Sequence, residues 1–318
     1  MLRFTRLPLL LIIWMLICCC PAASSELLKL APGVWRVGGE NTAITPANLG
    51  AIANTGIIAT GEGLIVIDPG PTQARGQVIA AFARTISAEP VLWIVNTHAH
   101  PENVLANSAF PQAIVIASTA AADLMKGRCA TCLQRLTDQI GEPATRGTTI
   151  RVPTRLVHHG EVIQLGQRVL QFQVFDRAHT RGDLAVLLPE SGILFAGGLV
   201  NDERVPDLRE ATLSGWIEAV DSLQKLSLQK VVPGHGPATD VAVLGRFAFY
   251  LTDLRLACDN DIAQRGDAAN SGARLGLPKY RDWAEYAVQH PLNVGHAYRE
   301  REDAQLMGTK LGVKLDEQ

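Results

Sequence analysis

No sign of charge dominates this chain. Its 29 lysines and arginines are set against 31 acidic residues, for a formal net charge of −2. That excludes the broad basic field expected of a nucleic-acid-binding surface. Internal repeats and low-complexity tracts are absent, so nothing points to a repeat array. The apolar run Leu7–Cys20 is only 14 residues long, shorter than the ~20 that a bilayer span needs. Cysteine is scarce: of six, three are Cys18–Cys20 in that run, leaving Cys129, Cys132 and Cys258. Cys129-Ala130-Thr131-Cys132 is a CxxC, but no second CxxC accompanies it, which excludes a four-cysteine zinc site.

The start of the chain has a pattern of its own. Arg3 and Arg6 precede the apolar run, and Pro21-Ala22-Ala23-Ser24-Ser25 supplies small residues after it. This predicts a secretory signal peptide over residues 1–25 and a mature chain beginning near Ser25 or Glu26, with no membrane span after cleavage. An uncleaved N-terminal anchor is the alternative. A lipoprotein ranks lower, because no Gly or Ala precedes Cys18, Cys19 or Cys20. Export to an oxidising compartment favours a local Cys129–Cys132 disulfide. A thioredoxin-like redox role is the competing reading, but no βαβ context surrounds the pair. Cys258 is expected to be a buried free thiol.

What is present is an alternation of strands and helices. The chain of 318 residues is 47% hydrophobic, enough for one large α/β domain. Strands are predicted at 34–38, 49–59, 63–67, 91–95 and 113–117, then at 168–175, 184–188, 193–196 and 230–232. Helices are predicted at 75–86, 119–140 and from 213, where Leu213, Trp216, Ile217 and Val220 follow a helical period. From Val241 onward the pattern is helical, interrupted by the Gly-rich stretch 266–276. Two similar halves suggest two sheets covered by helices on their outer faces. The predicted organisation is a main domain over 26–240 and a C-terminal helical extension over 241–318 packed on it.

The stretch Val91–Phe110, VLWIVNTHAHPENVLANSAF, organises the rest. A buried strand breaks at Asn96-Thr97 into His98-Ala99-His100-Pro101-Glu102-Asn103. Two imidazoles on a loop leaving a strand can converge on one point, and neutral imidazole suits zinc. A lone HxH is more often a solvated loop. Here, however, Asp68, His98 with His100, His179 and His235 each follow a predicted strand, at the strand ends where α/β proteins gather functional groups.

The order IDPG, HxHxxN, AHTxGD, FAGG, PGHG, over about residues 30 to 240, resembles the metallo-β-lactamase superfamily. That resemblance implies a four-layer αββα sandwich. The segments NLGAIANTGII, THAHPENVLANSAF and HPLNVGHAYRERE look closer still to the SoxH-related quinoprotein relay system zinc metallohydrolases, periplasmic members that occur with quinoprotein dehydrogenase systems. Carried over by residue, His98, His100 and His179 fall on the first metal site and His235 on the second. Asp68 falls on an acid that orients the cluster without binding metal. The family's HxHxDH is HAHPEN here, with Glu102 for the aspartate and Asn103 for the histidine, and the later aspartate is Gly198. Asp202 and Glu203 lie downstream as candidate substitutes.

The resemblance therefore implies one tightly bound zinc ion and a weak or absent second. Three imidazoles with an open fourth position make a catalytic-type site in which zinc lowers the pKa of bound water to about 7. Such a zinc-bound hydroxide attacks an ester, amide or lactone-like bond of a small-molecule substrate. Glu102 is expected to orient the water or act as base, and His235 to stabilise a developing anion or protonate the leaving group. The alternative is an accessory or binding protein of a quinoprotein system whose damaged second site reflects lost turnover. Disulfide oxidoreductase chemistry at Cys129 and Cys132 ranks last.

Overall fold

A computed structural model describes residues 26–315; the predicted signal peptide, including Cys18–Cys20, lies outside them. Strands β1 (Leu27–Ala31), β2 (Val34–Val37), β3 (Thr55–Ala59), β4 (Leu64–Ile67), β5 (Val91–Val95), β6 (Ile114–Ser118) and β7 (Arg155–Val157) form one sheet in sequential order. The second sheet runs β12 (Lys230–His235), β11 (Ile193–Asn201), β10 (Asp183–Leu188), β9 (Arg168–Phe175), β8 (Val162–Leu165). Helices α1 (Gln73–Ile86), α2 (Pro101–Val104), α3 (Thr119–Ile140) and α4 (Glu142–Thr145) belong to the first half. Helices α5 (Leu213–Gln224), α6 (Ala242–Ala263), α7 (Ser271–Arg274) and α8 (Tyr286–Leu315) belong to the second.

Side-chain alternation builds the layers, because successive strand residues point to opposite faces. In β4, Leu64 and Val66 join Ile79 and Ala83 of α1 on the outer face, while Ile65 and Ile67 join the core between the sheets. In β10, Leu184, Val186 and Leu188 face inward against Phe172 and Val34, while Ala185 and Leu187 face outward. The outward side is covered by Trp216 and Val220 of α5, Phe247, Tyr250 and Leu254 of α6, and Val294 and Tyr298 of α8, all in one core. This is the αββα sandwich. The helices after residue 240 bury their apolar faces in the same core as α5.

Local chemistry sets several boundaries. Thr72 caps α1 by accepting from Arg75 N, and Ser118 caps α3 by accepting from Ala121 N. Residues 49–59 do not form one strand. The Asn48 side chain accepts from Thr45 N and Gly50 N and donates to Ala43 O. Leu49 takes a left-handed φ of 52°, so a turn precedes β3. Strand β11 is longer than its apolar run, continuing through Gly197 and Gly198 to Asn201.

The CxxC expectation is corrected. Cys129 and Cys132 lie in the middle of α3 as free thiols. Three residues apart on a helix, their Cβ atoms stand ~5–6 Å apart, beyond the ~3.8 Å of a disulfide. Burial pushes the Cys129 thiol up to about 12. Iodoacetamide treatment of unreduced, denatured protein should label both residues; a mass consistent with a Cys129–Cys132 bridge would contradict this. Cys258 is buried in α6, as expected.

Candidate metal centre

Two buried carboxylates hold the histidines from opposite sheets. Asp68, just past β4, accepts from Thr97 N at 2.8 Å and from Thr97 Oγ1 at 2.6 Å. That hydroxyl is then free to accept from His98 Nδ1, 3.0 Å away. The chain of bonds fixes a His98 tautomer with hydrogen on Nδ1 and a lone pair on Nε2. His98 Nε2 is buried with no hydrogen-bond partner. In the second sheet, Asp183 accepts from Thr180 N at 2.8 Å and from Thr180 Oγ1 at 2.6 Å, anchoring the loop that carries His179. Burial raises both carboxyls, to about 7. The halves meet where Leu184 N donates to Thr97 O at 2.7 Å.

His98, His100 and His179 converge, each offering one ring nitrogen, all within 4.8 Å of one another. His179 Nε2 and His100 Nδ1 are 3.1 Å apart. Two nitrogens on one tetrahedral zinc, at 2.0–2.1 Å each, stand about 3.3–3.4 Å apart. Burial holds His98 and His179 well below the ordinary histidine value of 6.5, so both are neutral at pH 7, as a metal ligand must be. The orphaned Nε2, the convergence and the neutrality fit a divalent metal ion. The Trp216 ring packs 4.9 Å from that of His179. Its Nε1 donates to Leu199 O at 2.9 Å.

The other expected residues divide. Glu102 lines the cleft with its carboxylate 3.8 Å from His100 Nδ1, beside the nitrogen that faces the metal position. Asp68 is sealed behind Thr97, in keeping with an orienting part. His235 lines the same cleft but stands outside the group of three. Its Nδ1 donates to Ile52 O at 3.0 Å, leaving Nε2 as an acceptor. Burial, then the charge of Arg204, lowers His235 to about 4. A neutral imidazole with its one hydrogen on Ile52 neither donates to an anion nor protonates a leaving group.

The candidate substitutes for the second site fail on geometry. Asp202 accepts from Ala238 N at 3.0 Å and Arg246 Nη2 at 2.9 Å, so its carboxylate serves a structural pair. Glu203 is exposed, with a left-handed φ of 49°. Asn103 is fully buried against Asp68, away from the cleft. Gly198 has no room for a ligand: a Cβ there would stand 2.5 Å from His179 Cδ2 and 3.1 Å from His98 Nε2. Gly198→Ala should therefore weaken metal binding about 10- to 100-fold, the scale for displaced supporting groups; a chelator competition giving the wild-type affinity would show otherwise.

Asn201 and Arg204 are among the cleft residues that the sequence patterns do not single out. Asn201 Oδ1 and Arg204 Nη1 are both buried without hydrogen-bond partners. A search of Asp202-Glu203-Arg204 for lost carboxylates passes over the cation that follows them. The cleft has a volume of about 820 Å³, and Glu285 and Gln289 of the C-terminal segment form part of its wall.

Three converging histidines, two buried and His100 half-buried, at the strand ends of an αββα sandwich define an α/β protein with a metal-binding site. The metallo-β-lactamase superfamily profile matches residues 50–235, and the chain belongs to that superfamily. No curated protein matches the sequence. Similar solved structures include a metallo-β-lactamase from Pontibacter korlensis, at 23% identity over 72% of this chain and 99% of that one, with a TM-score of 0.58. Another is a metallo-β-lactamase from Hirschia baltica, at 20% identity over 71% and 97%, with a TM-score of 0.55. The mono-zinc form of metallo-β-lactamase FIM-1 from Pseudomonas aeruginosa aligns at 20% identity over 73% and 97%, with a TM-score of 0.56. These neighbours share the fold. Among the described residues no helix is long and apolar enough to cross a membrane.

Proposed function

We propose that the protein is a zinc-dependent hydrolase that holds one zinc ion tightly and cleaves an ester, amide or lactone-like bond in a small molecule. The observation that carries this is the three neutral-capable imidazoles converging on one point, with the Glu102 carboxylate beside them. Zinc held there would supply a bound water of pKa near 7 as nucleophile. The Glu102 carboxylate, 3.8 Å from His100 Nδ1, is placed to accept a proton beside the three imidazoles. Thr97 and Asp68 keep the His98 lone pair aimed inward. His235, with its hydrogen committed to Ile52, contributes an acceptor. The mono-zinc form recorded for FIM-1 supports one-metal occupancy of such a fold. Metal analysis with turnover of generic esters and β-lactams tests the proposal; metal-free protein, or metal without turnover of either class, would count against it.

The start of the chain and the segments NLGAIANTGII and HPLNVGHAYRERE extend the reading to a periplasmic enzyme, related to the SoxH-like group and linked to a quinoprotein dehydrogenase system. Mass spectrometry of exported protein retaining Met1 would oppose the export step. The second reading, a non-catalytic accessory protein, draws on Asn103 and Gly198 in place of metal ligands. Bound zinc with no turnover on any ester, lactone or amide panel would favour it.

A further inference from the structure

The C-terminal motif HPLNVGHAYRERE supplies none of the three histidines, yet two routes tie it to them. Gln289, Asn293 and Glu300 stand at i, i+4 and i+11 on α8, so they share one helix face. Asn293 is completely buried. Its Nδ2 donates to Pro206 O at 2.7 Å, and its Oδ1 accepts from Leu208 N at 3.2 Å. One amide therefore grips the main chain on both sides of Asp207. The grip is itself held. Asn293 Nδ2 also donates to Tyr250 Oη of α6 at 3.1 Å, and Gln289 Nε2 donates to Asn293 Oδ1 and Asp207 Oδ1, each at 3.2 Å.

Asp207 is where this grip meets the centre. His179 turns its Nε2 toward His100, which leaves the ring hydrogen on Nδ1. That nitrogen is buried and makes no full hydrogen bond. Burial and then His100 disfavour charge on the ring; the Asp207 carboxylate and main-chain carbonyl act the other way, favouring ring hydrogen. The carbonyl is thus the acceptor beside Nδ1, and a ligand imidazole needs such an outer acceptor to fix its tautomer and ring angle. The second route runs through α5. Glu300 accepts from Leu213 N at 2.6 Å, Ser214 N at 2.9 Å and Ser214 Oγ at 2.6 Å, satisfying the free donors of the first turn. Thr212, just before that turn, donates from N to Ala178 O at 3.0 Å and from Oγ1 to Arg177 O at 3.2 Å. Those are the two residues that lead into His179.

We propose that Asn293 and Glu300 are positioning residues for His179: Asn293 holds the Asp207 carbonyl beside the ring, and Glu300 holds the start of α5 against the residues before it. The C-terminal helix then supports His179 from outside, as Asp68 and Thr97 support His98. Neither residue lines the cleft, so a change at either acts through the ligand and not on a substrate. The proposal rests on the metal-centre reading.

The test is zinc affinity, by chelator competition, together with the visible absorption of the cobalt(II)-loaded protein, both measured well below the unfolding midpoint. Asn293→Asp keeps the acceptor for Leu208 N and loses the donor to Pro206 O. It should weaken zinc binding about 10- to 100-fold and alter the cobalt spectrum. Glu300→Ala should do the same, and Glu300→Gln, which keeps an acceptor oxygen, should fall between it and wild type; this pair carries the test if Asn293→Asp does not fold. Arg301→Ala is the control. It breaks the 2.7 Å bond from Arg301 to Asp259 of α6, which lies on neither route, and should keep the wild-type affinity and spectrum whatever it does to the midpoint. Wild-type affinity and spectrum in Asn293→Asp and Glu300→Ala would overturn the proposal. Equal weakening in Arg301→Ala would also overturn it, because the effect would then be a general loosening of α8. A wild-type protein that takes up neither zinc nor cobalt would overturn the metal-centre reading, and this proposal with it.

Discussion

His100→Ala should empty the metal centre, from about one equivalent per chain to almost none. The mutation removes one of three imidazoles that share a single point, and two remaining nitrogens leave a divalent ion mostly hydrated. It also removes the ring nitrogen beside which Glu102 sits, so any hydrolytic activity should disappear with the metal. His235→Ala is the contrasting variant. His235 lies outside the three-histidine group and is bonded to Ile52. Its loss should leave about one equivalent bound and lower activity only. Elemental analysis of the two dialysed variants checks this; equal metal loss in both would place His235 in the primary site.

Trp216→Ala should be the most destabilising single change near the site, by about 3–5 kcal/mol. The indole is completely buried. It packs 5.5 Å from the Phe247 ring and 4.9 Å from His179, and its Nε1 satisfies Leu199 O. Truncation leaves a cavity, an unpaired carbonyl in β11 and an unsupported metal ligand. Urea unfolding should show a lowered midpoint, and metal affinity should fall with it. An unchanged midpoint would mean that the outer core tolerates the void, and that the indole does not support the centre.

The primary centre was legible in the sequence because it is local. His98 and His100 are two residues apart after an apolar strand, and the strand-end positions of Asp68 and His179 follow from the alternation of β4 and β9. The α3 boundaries, Thr119–Ile140, also followed from pattern, since Ser118 provides the cap. What was not legible depends on distant chain. Short β1, β7 and β8, with many half-exposed side chains, carry weak alternation. The turn at Asn48 is made by side-chain bonds to Ala43, Thr45 and Gly50 that no apolar period reports. Expected export and the two-residue spacing of Cys129 and Cys132 suggest a bridge; the helix around them separates the sulfur-bearing carbons. Asp202 is open as a ligand by sequence, but Arg246 of α6 holds its carboxylate. Arg204 enters the cleft because Ala284, 80 positions later in the chain, pins its loop.

The fold brings together three histidines that can hold one metal ion, and Asp202, Asn103 and Gly198 offer no ligands for another. The most direct measurement is the zinc content of the purified wild-type protein after exhaustive dialysis. Three converging imidazoles predict about one ion per chain, with no further uptake retained as zinc is raised and dialysed away. A stable content near two would contradict the account, because Asp202 is engaged by Arg246, Asn103 is buried against Asp68, and a side chain at 198 would collide with His98 and His179.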